Sequence, residues 1–305
     1  MTPTLNRPEA LAGRVVAAAA PSSCFDRELF LRGVKRLEQA GAPVRVPEEV
    51  YARRGFLAGS DEQRASALVR AWEDPDAGAV WCARGGYGSL RILPLLDFER
   101  MASAPRLMAG FSDVTALFSV LCGRLRVPAI HAPVATALGK MEQAHAAEAA
   151  GALVRLLSGE PPLPLRADPP LTLRPGKAEG RLLGGNLATL CSLCGTPFFP
   201  DLAGCVLFLE DHREAPYRID RMLAQLRLSG LLSGVTGVAL GGFSDCGPPD
   251  QVEQVLADAL SPLEVPVAGG FPAGHGKRNL PFALGVPVSL DADAGVITFL
   301  ESPTA

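Results

Sequence analysis

The chain has no run of basic residues, no long hydrophobic stretch and no disulfide framework, and each absence removes a class of function. Twenty-nine Lys and Arg against 32 Asp and Glu give a formal charge of −3 over 305 residues. No cationic cluster is available to neutralise a nucleic-acid backbone or to hold an anionic membrane. The apolar stretch near the start, Val15–Ala20, is far shorter than the roughly 20 residues of a membrane span and follows a weakly charged, Pro-containing leader. It reads as a first strand, and the protein as cytoplasmic. The seven cysteines, Cys24, Cys82, Cys122, Cys191, Cys194, Cys205 and Cys246, are odd in number and scattered, which fits a reducing compartment. Cys191 and Cys194 form one CxxC without a second pair or a His at ligand spacing, so they read as core thiols, with zinc or redox work as the competing reading.

What is present is a globular composition, 48% hydrophobic and 20% charged, in a chain long enough for two packed cores. The first half alternates short apolar runs with amphipathic ones, the pattern of a parallel sheet covered by helices. Arg14–Ala20 reads as a strand, the run from Asp26 to Gly41 as a helix, and Pro43–Val46 as a second strand. Ser60-Asp61-Glu62-Gln63 has the form of a capping box that opens another helix. Ala79–Ala83, Leu107–Gly110 and Pro128–Pro133 follow as strands, with a helix beginning near Asp113 and an Ala-rich helix from about Met141 to Leu157. The six prolines between Gly159 and Gly180 are incompatible with a continuous helix or a central strand and mark a boundary. The expected organisation is a first domain over 1–160, a Pro-rich linker over 161–178 and a smaller, loop-rich α/β domain over 179–305.

Arg84-Gly85-Gly86-Tyr87-Gly88-Ser89 directly follows a strand, and its glycines allow backbone N–H groups to approach a phosphate or an oxyanion closely. It lacks the residues of a P-loop and the spacing of a dinucleotide fingerprint, and a plain tight turn is the competing reading. Gly-Phe-Ser-Asp occurs twice, at Gly110–Asp113 and Gly242–Asp245. Ser112 lies at a strand-to-helix junction that would expose its hydroxyl, as a nucleophile requires, although a helix N-cap serine would look the same. Ser244 is followed by Cys-Gly-Pro-Pro, which delays any helix and makes it the weaker candidate.

A serine nucleophile needs a base, and the chain offers four histidines: His131, His145, His212 and His275. His145 sits in a polar helical run and His131 ends a buried strand, whereas His212 could line a site. His275, between two glycines in a loop, is the most suited to reach across a domain interface. An acidic residue must orient the imidazole. Glu210, which closes the strand Cys205–Glu210, and its neighbour Asp211 compete for that role.

The segments AGSDEQR, WCARGGYGSLRILPLLDF, GFSDVTAL, GRLLGGNLATL, LFLEDHREAPYRIDRML and FPAGHGKRNLPFALG closely resemble, in order along most of the chain, the LD-carboxypeptidase family of serine peptidases. The resemblance implies a domain like class I glutamine amidotransferases, joined to a C-terminal domain with a swivelling β-rich core. It also implies a homodimer with the site between domains and neither metal nor cofactor. Carried over motif by motif, Ser112 becomes the nucleophile, Glu210 the acid and His275 the base, with the backbone N–H groups of Gly86 and Asp113 as oxyanion hole. Arg84, Gly85 and Tyr87 are then expected to bind substrate, with the Arg84 guanidinium near the terminal carboxylate. The implied reaction removes terminal D-alanine from muropeptide tetrapeptides. The same family contains immunity peptidases that cleave microcin-type aminoacyl nucleotides, which the motifs do not separate from the muropeptide enzymes. A non-catalytic amidotransferase-like binding module is the reading from a different class.

Overall fold

The computed structural model describes residues 4–305, which fold around two sheets. The first has six strands in the order β12-β5-β4-β3-β1-β2. Its members are β1 (Val15–Ala19), β2 (Val44–Arg45), β3 (Ala77–Cys82), β4 (Leu107–Gly110), β5 (Ala129–His131) and β12 (Phe282–Leu284). β1 to β5 run parallel and β12 antiparallel to β5. All six residues of β3 are buried, the continuous apolar run required of a parallel strand covered on both faces.

Helices close those faces, and their starts follow the local chemistry. Arg27–Gln39 begins where the Asp26 carboxylate accepts from the Leu29 amide at 2.8 Å. Asp61–Glu73 opens on a complete capping box, with Ser60 Oγ accepting from Gln63 N at 3.2 Å and Gln63 Oε1 accepting from Ser60 N at 2.8 Å. The helix expected near Asp113 is composite: a 3₁₀ turn Ser112–Val114, an α turn Thr115–Phe118 and a π segment Ser119–Arg124. The Ala-rich helix starts at Gln143, and Ala135–Lys140 forms a separate short helix before it.

The second sheet has eight strands, β6-β14-β13-β8-β9-β10-β11-β7. Four central strands run parallel: β8 (Lys177–Asn186), β9 (Cys205–His212), β10 (Gly237–Ser244) and β11 (Val267–Gly274). β13 (Pro287–Asp291) and β14 (Val296–Phe299) flank them antiparallel. The Pro-rich stretch supplies β6 (Leu165–Arg166) and β7 (Leu171–Arg174), which form the two opposite edges of this sheet. All six prolines lie outside these two short strands, in the connections on either side of them, where no ladder needs the missing N–H.

Two features bring the sheets into register for a site. β11 belongs to the second sheet and β12 to the first, so the loop Gly274–Pro281 that joins them bridges the interface. Thr115 Oγ1, just after the Ser112 turn, accepts from the Asn186 amide at the end of β8 at 3.0 Å.

Candidate active site

Ser112 follows the end of β4 after one intervening residue, Phe111, and opens a turn with φ +64°, a left-handed conformation that costs a non-glycine residue about 1 kcal/mol or more and is held only where surrounding structure enforces it. Its neighbours supply that constraint. Ser89 N donates to the Asp113 carboxylate at 2.8 Å, and Ser89 Oγ donates to the Asp113 carbonyl. The Gly-rich loop thereby lies against the nucleophile candidate. A Cβ on Gly85 would stand 2.9 Å from Ser112 Cβ and 3.0 Å from its Oγ, so no side chain is admissible there. The loop is anchored on its other side by Ser23, whose Oγ accepts from Tyr87 N at 3.0 Å. Below it lies Arg64, whose fully buried guanidinium donates to the carbonyls of Gly88 (2.8 Å) and Pro21 and pairs with Asp61.

The bridging loop brings His275 to Ser112 across 163 residues of sequence: Nε2 lies 3.1 Å from Ser112 Oγ. Nδ1 lies 2.7 Å from Glu210 Oε2. A carboxylate only accepts, so Nδ1 carries the proton of the neutral ring and Nε2 is left to accept from the serine hydroxyl. Glu210 closes the apolar run of β9 and is fully buried. Gly274, at φ +106°, lets the chain pass it, since a Cβ there would come within 2.6 Å of Glu210 Oε2. Burial pulls the His275 imidazole toward lower proton affinity. The hydrogen bond and charge of Glu210, with the charge of Asp211, outweigh it and leave its pKa above the ordinary histidine value.

Asp211 has a different task from Glu210. Its carboxyl accepts from Asn186 Nδ2 (2.9 Å), Ala188 N (2.9 Å) and His212 N (2.8 Å), which ties the end of β9 to the start of the helix Leu187–Ser192. Burial pushes its pKa up to about 6 against those donors. The other histidines also separate. His131 is fully buried beside Phe282, Phe208 and Phe111, and burial lowers it to about 4. His212 stacks on His275 with ring centroids 5.0 Å apart and planes within 4°. The second Gly-Phe-Ser-Asp copy holds it there: Ser244 Oγ lies 2.9 Å from His212 Nδ1. Burial pushes the Cys191 thiol up to about 12, the direction expected of a thiol packed in a core.

These residues border a cleft of about 760 Å³ whose walls come from both sheets. Arg84, Gly85, Gly86 and Tyr87 line one side, with Ser112 and Asp113; Asn186, His212, Arg213 and His275 line the other. The Arg84 guanidinium donates to the Cys24 carbonyl. Sequence reasoning did not identify Ser23, Ser89, Arg64 or the His212 stack as supports of the site. A signal existed only for Arg64, which stands three residues after Asp61 on one helix face.

Profiles of the LD-carboxypeptidase N-terminal and C-terminal domains match residues 16–132 and 179–290. The chain belongs to the LD-carboxypeptidase family. The murein tetrapeptide carboxypeptidase of Pseudomonas aeruginosa is 36% identical to this LD-carboxypeptidase over 290 residues, 91% of this chain and 93% of that protein. The muramoyltetrapeptide carboxypeptidase structure from Oxalobacter formigenes superposes with a TM-score of 0.80 at 30% identity, covering 92% of this chain and 97% of that one. The microcin C7 self-immunity protein MccF shares the fold at a TM-score of 0.89 and 23% identity, covering 98% and 99%. The chain is therefore a carboxypeptidase of two α/β domains.

Proposed function

We propose that this enzyme hydrolyses the bond that releases terminal D-alanine from muropeptide tetrapeptides, with Ser112 as nucleophile, His275 as base and Glu210 as the acid that orients it. The observation that carries the reading is the hydrogen-bonded series Ser112 Oγ, His275 Nε2 and Nδ1, Glu210 Oε2, at 3.1 and 2.7 Å. It lies in a cleft of a chain 36% identical to a murein tetrapeptide carboxypeptidase. His275 accepts the hydroxyl proton as Ser112 Oγ bonds to the scissile carbonyl carbon, and the backbone N–H groups of Gly86 and Asp113 receive the developing oxyanion. The imidazolium then delivers its proton to the leaving amine, the C–N bond breaks, and water repeats the sequence on the ester to free the tripeptide and Ser112. Arg84, Gly85 and Tyr87 hold the peptide along the cleft. The Ser112, Gly86 and Arg84 half belongs to a domain over 1–160 and the Glu210 and His275 half to one over 179–305, working in a cytoplasmic homodimer.

The test is D-alanine release from a muropeptide tetrapeptide, followed by mass spectrometry for the wild type and Ser112→Ala, with an aminoacyl nucleotide of the microcin type in parallel. Release from the tetrapeptide that Ser112→Ala abolishes is the expected result. Cleavage of the aminoacyl nucleotide alone would move the enzyme to the immunity branch of its family.

A further inference from the structure

Beyond the imidazole of His275 the cleft continues into a second lobe of about 400 Å³, and Ala137, Lys140, His212 and His275 line both spaces. This lobe contains two of the four lysines of the chain, Lys140 and Lys277. Among the described residues only Lys177 of the four pairs with a carboxylate, Asp291 at 2.9 Å. Of the other charges lining the lobe, Arg213 faces Asp245 at 3.8 Å, and Glu142 is the remaining acid. With neutral histidines the lining carries a formal charge of about +1, the complement of a single carboxylate. Asn279 adds a second, independent feature. It lines the lobe and is only 2% exposed; its Oδ1 accepts from Gly274 N at 3.1 Å, whereas its Nδ2 is buried without a partner. An unsatisfied buried donor costs about 1–3 kcal/mol and is retained where a ligand supplies the acceptor.

The position of the lobe decides which part of a substrate it meets. In acyl transfer the imidazole that activates the serine afterwards protonates the leaving amine, so the leaving group lies on the imidazole side of the nucleophile. We propose that this lobe is the subsite for the leaving amino acid and that Lys277, Lys140 and Asn279 Nδ2 read its free α-carboxylate, which makes the enzyme an exopeptidase. Arg84 does not line the lobe: it stands two residues before Gly86 in the main cleft, with its guanidinium engaged by the Cys24 carbonyl. The terminal carboxylate is therefore reassigned from Arg84 to the lysine lobe, and Arg84 is left to the acyl portion of the peptide. The proposal rests on the carboxypeptidase reading given above for its substrate, and on the lobe itself for its chemistry.

The experiment compares kcat/KM for a muropeptide tetrapeptide with a free C-terminus against the same peptide as its C-terminal carboxamide. It uses the wild type, Lys277→Ala, Lys277→Arg, Lys140→Ala/Lys277→Ala and Arg84→Ala. The expected result is an acid-to-amide preference that falls about tenfold or more in Lys277→Ala, the scale of one charge-assisted hydrogen bond. It falls further in the double variant and is restored in Lys277→Arg. A preference unchanged in the double variant, or one that collapses in Arg84→Ala alone, overturns the proposal. Ligand-observed NMR of D-alanine and D-alaninamide with Ser112→Ala protein separates the two readings. D-alanine contact that the lysine substitutions abolish, in an enzyme that cleaves no muropeptide, keeps the lobe and removes the substrate reading. Contact that survives the double substitution removes the lobe.

Discussion

At the scale of single residues the site is a contest between burial and charge. The buried His275 imidazole would by burial alone hold its proton more weakly, and Glu210 reverses the direction. In the proposed mechanism the neutral ring is the base, so kcat/KM is expected to fall as pH drops through a pKa above the ordinary histidine value of about 6.5. Glu210→Gln removes the charge that raises that pKa and leaves the burial. The acid limb should then move to lower pH while kcat drops by roughly 10⁴, the scale seen when the acid of a serine triad is neutralised. A pH–rate profile with its acid limb in place would show that Glu210 does not govern the imidazole. The same raised pKa makes the pair a source of stability that is fully present below about pH 6.5 and is lost as pH rises through the folded value. Asp211, one residue on, is equally acidic in composition and carries a structural task instead, because successive strand residues point to opposite faces.

At the scale of elements, the segments with strong local signals coincide with the structure, and the segments without them do not. Asp61–Glu73 was legible because Ser60 and Gln63 satisfy orphan N–H groups by a rule that involves only four residues. Ser60→Ala should cost about 1 kcal/mol in denaturant unfolding. Activity should fall along with stability, since this helix carries the Arg64 guanidinium that holds the Gly88 carbonyl of the Gly-rich loop. Unchanged stability would mean that tertiary contacts alone place the helix. The composite 3₁₀, α and π segment that begins at Ser112 was not legible: its apolar periodicity is helical, and the change of hydrogen-bond pattern along it leaves no mark in that periodicity. The Pro-rich stretch likewise resisted reading, because strands of two and four residues at sheet edges leave no periodicity to detect.

At the scale of the whole molecule, β12 unites the two sheets. Phe282 is 1% exposed, stacks on His131 and meets the Phe208 ring at 4.9 Å, so its side chain lies where elements of both sheets pack. Phe282→Ala should cost about 3–5 kcal/mol. Measured by both tryptophan fluorescence and circular dichroism, it should lower one shared unfolding midpoint. Two separated transitions would show that the sheets unfold independently and that β12 is not their coupling element. The same strand fixes the end of the His275 loop, so the loss of stability should be accompanied by a loss of kcat larger than any change in KM.

Composition, alternating apolar runs, cap chemistry and the order of the motifs are local properties, and from them alone came the α/β class, the helix starts, the family resemblance and the short list of candidate residues. Within that list the residue patterns alone left Glu210 against Asp211 and one histidine against another, the family resemblance named Ser112, Glu210 and His275, and the physical cause of their meeting lies only in the tertiary structure. Whether Glu210 or Asp211 meets the imidazole, and whether His275, His212 or His131 meets Ser112, depends on side-chain facing and on a chain path that returns from β11 to β12. The Ser112–His275 contact spans 163 residues, and no local pattern encodes a distance between atoms that far apart along a chain. Burial, sheet register and the crossing of one strand set it.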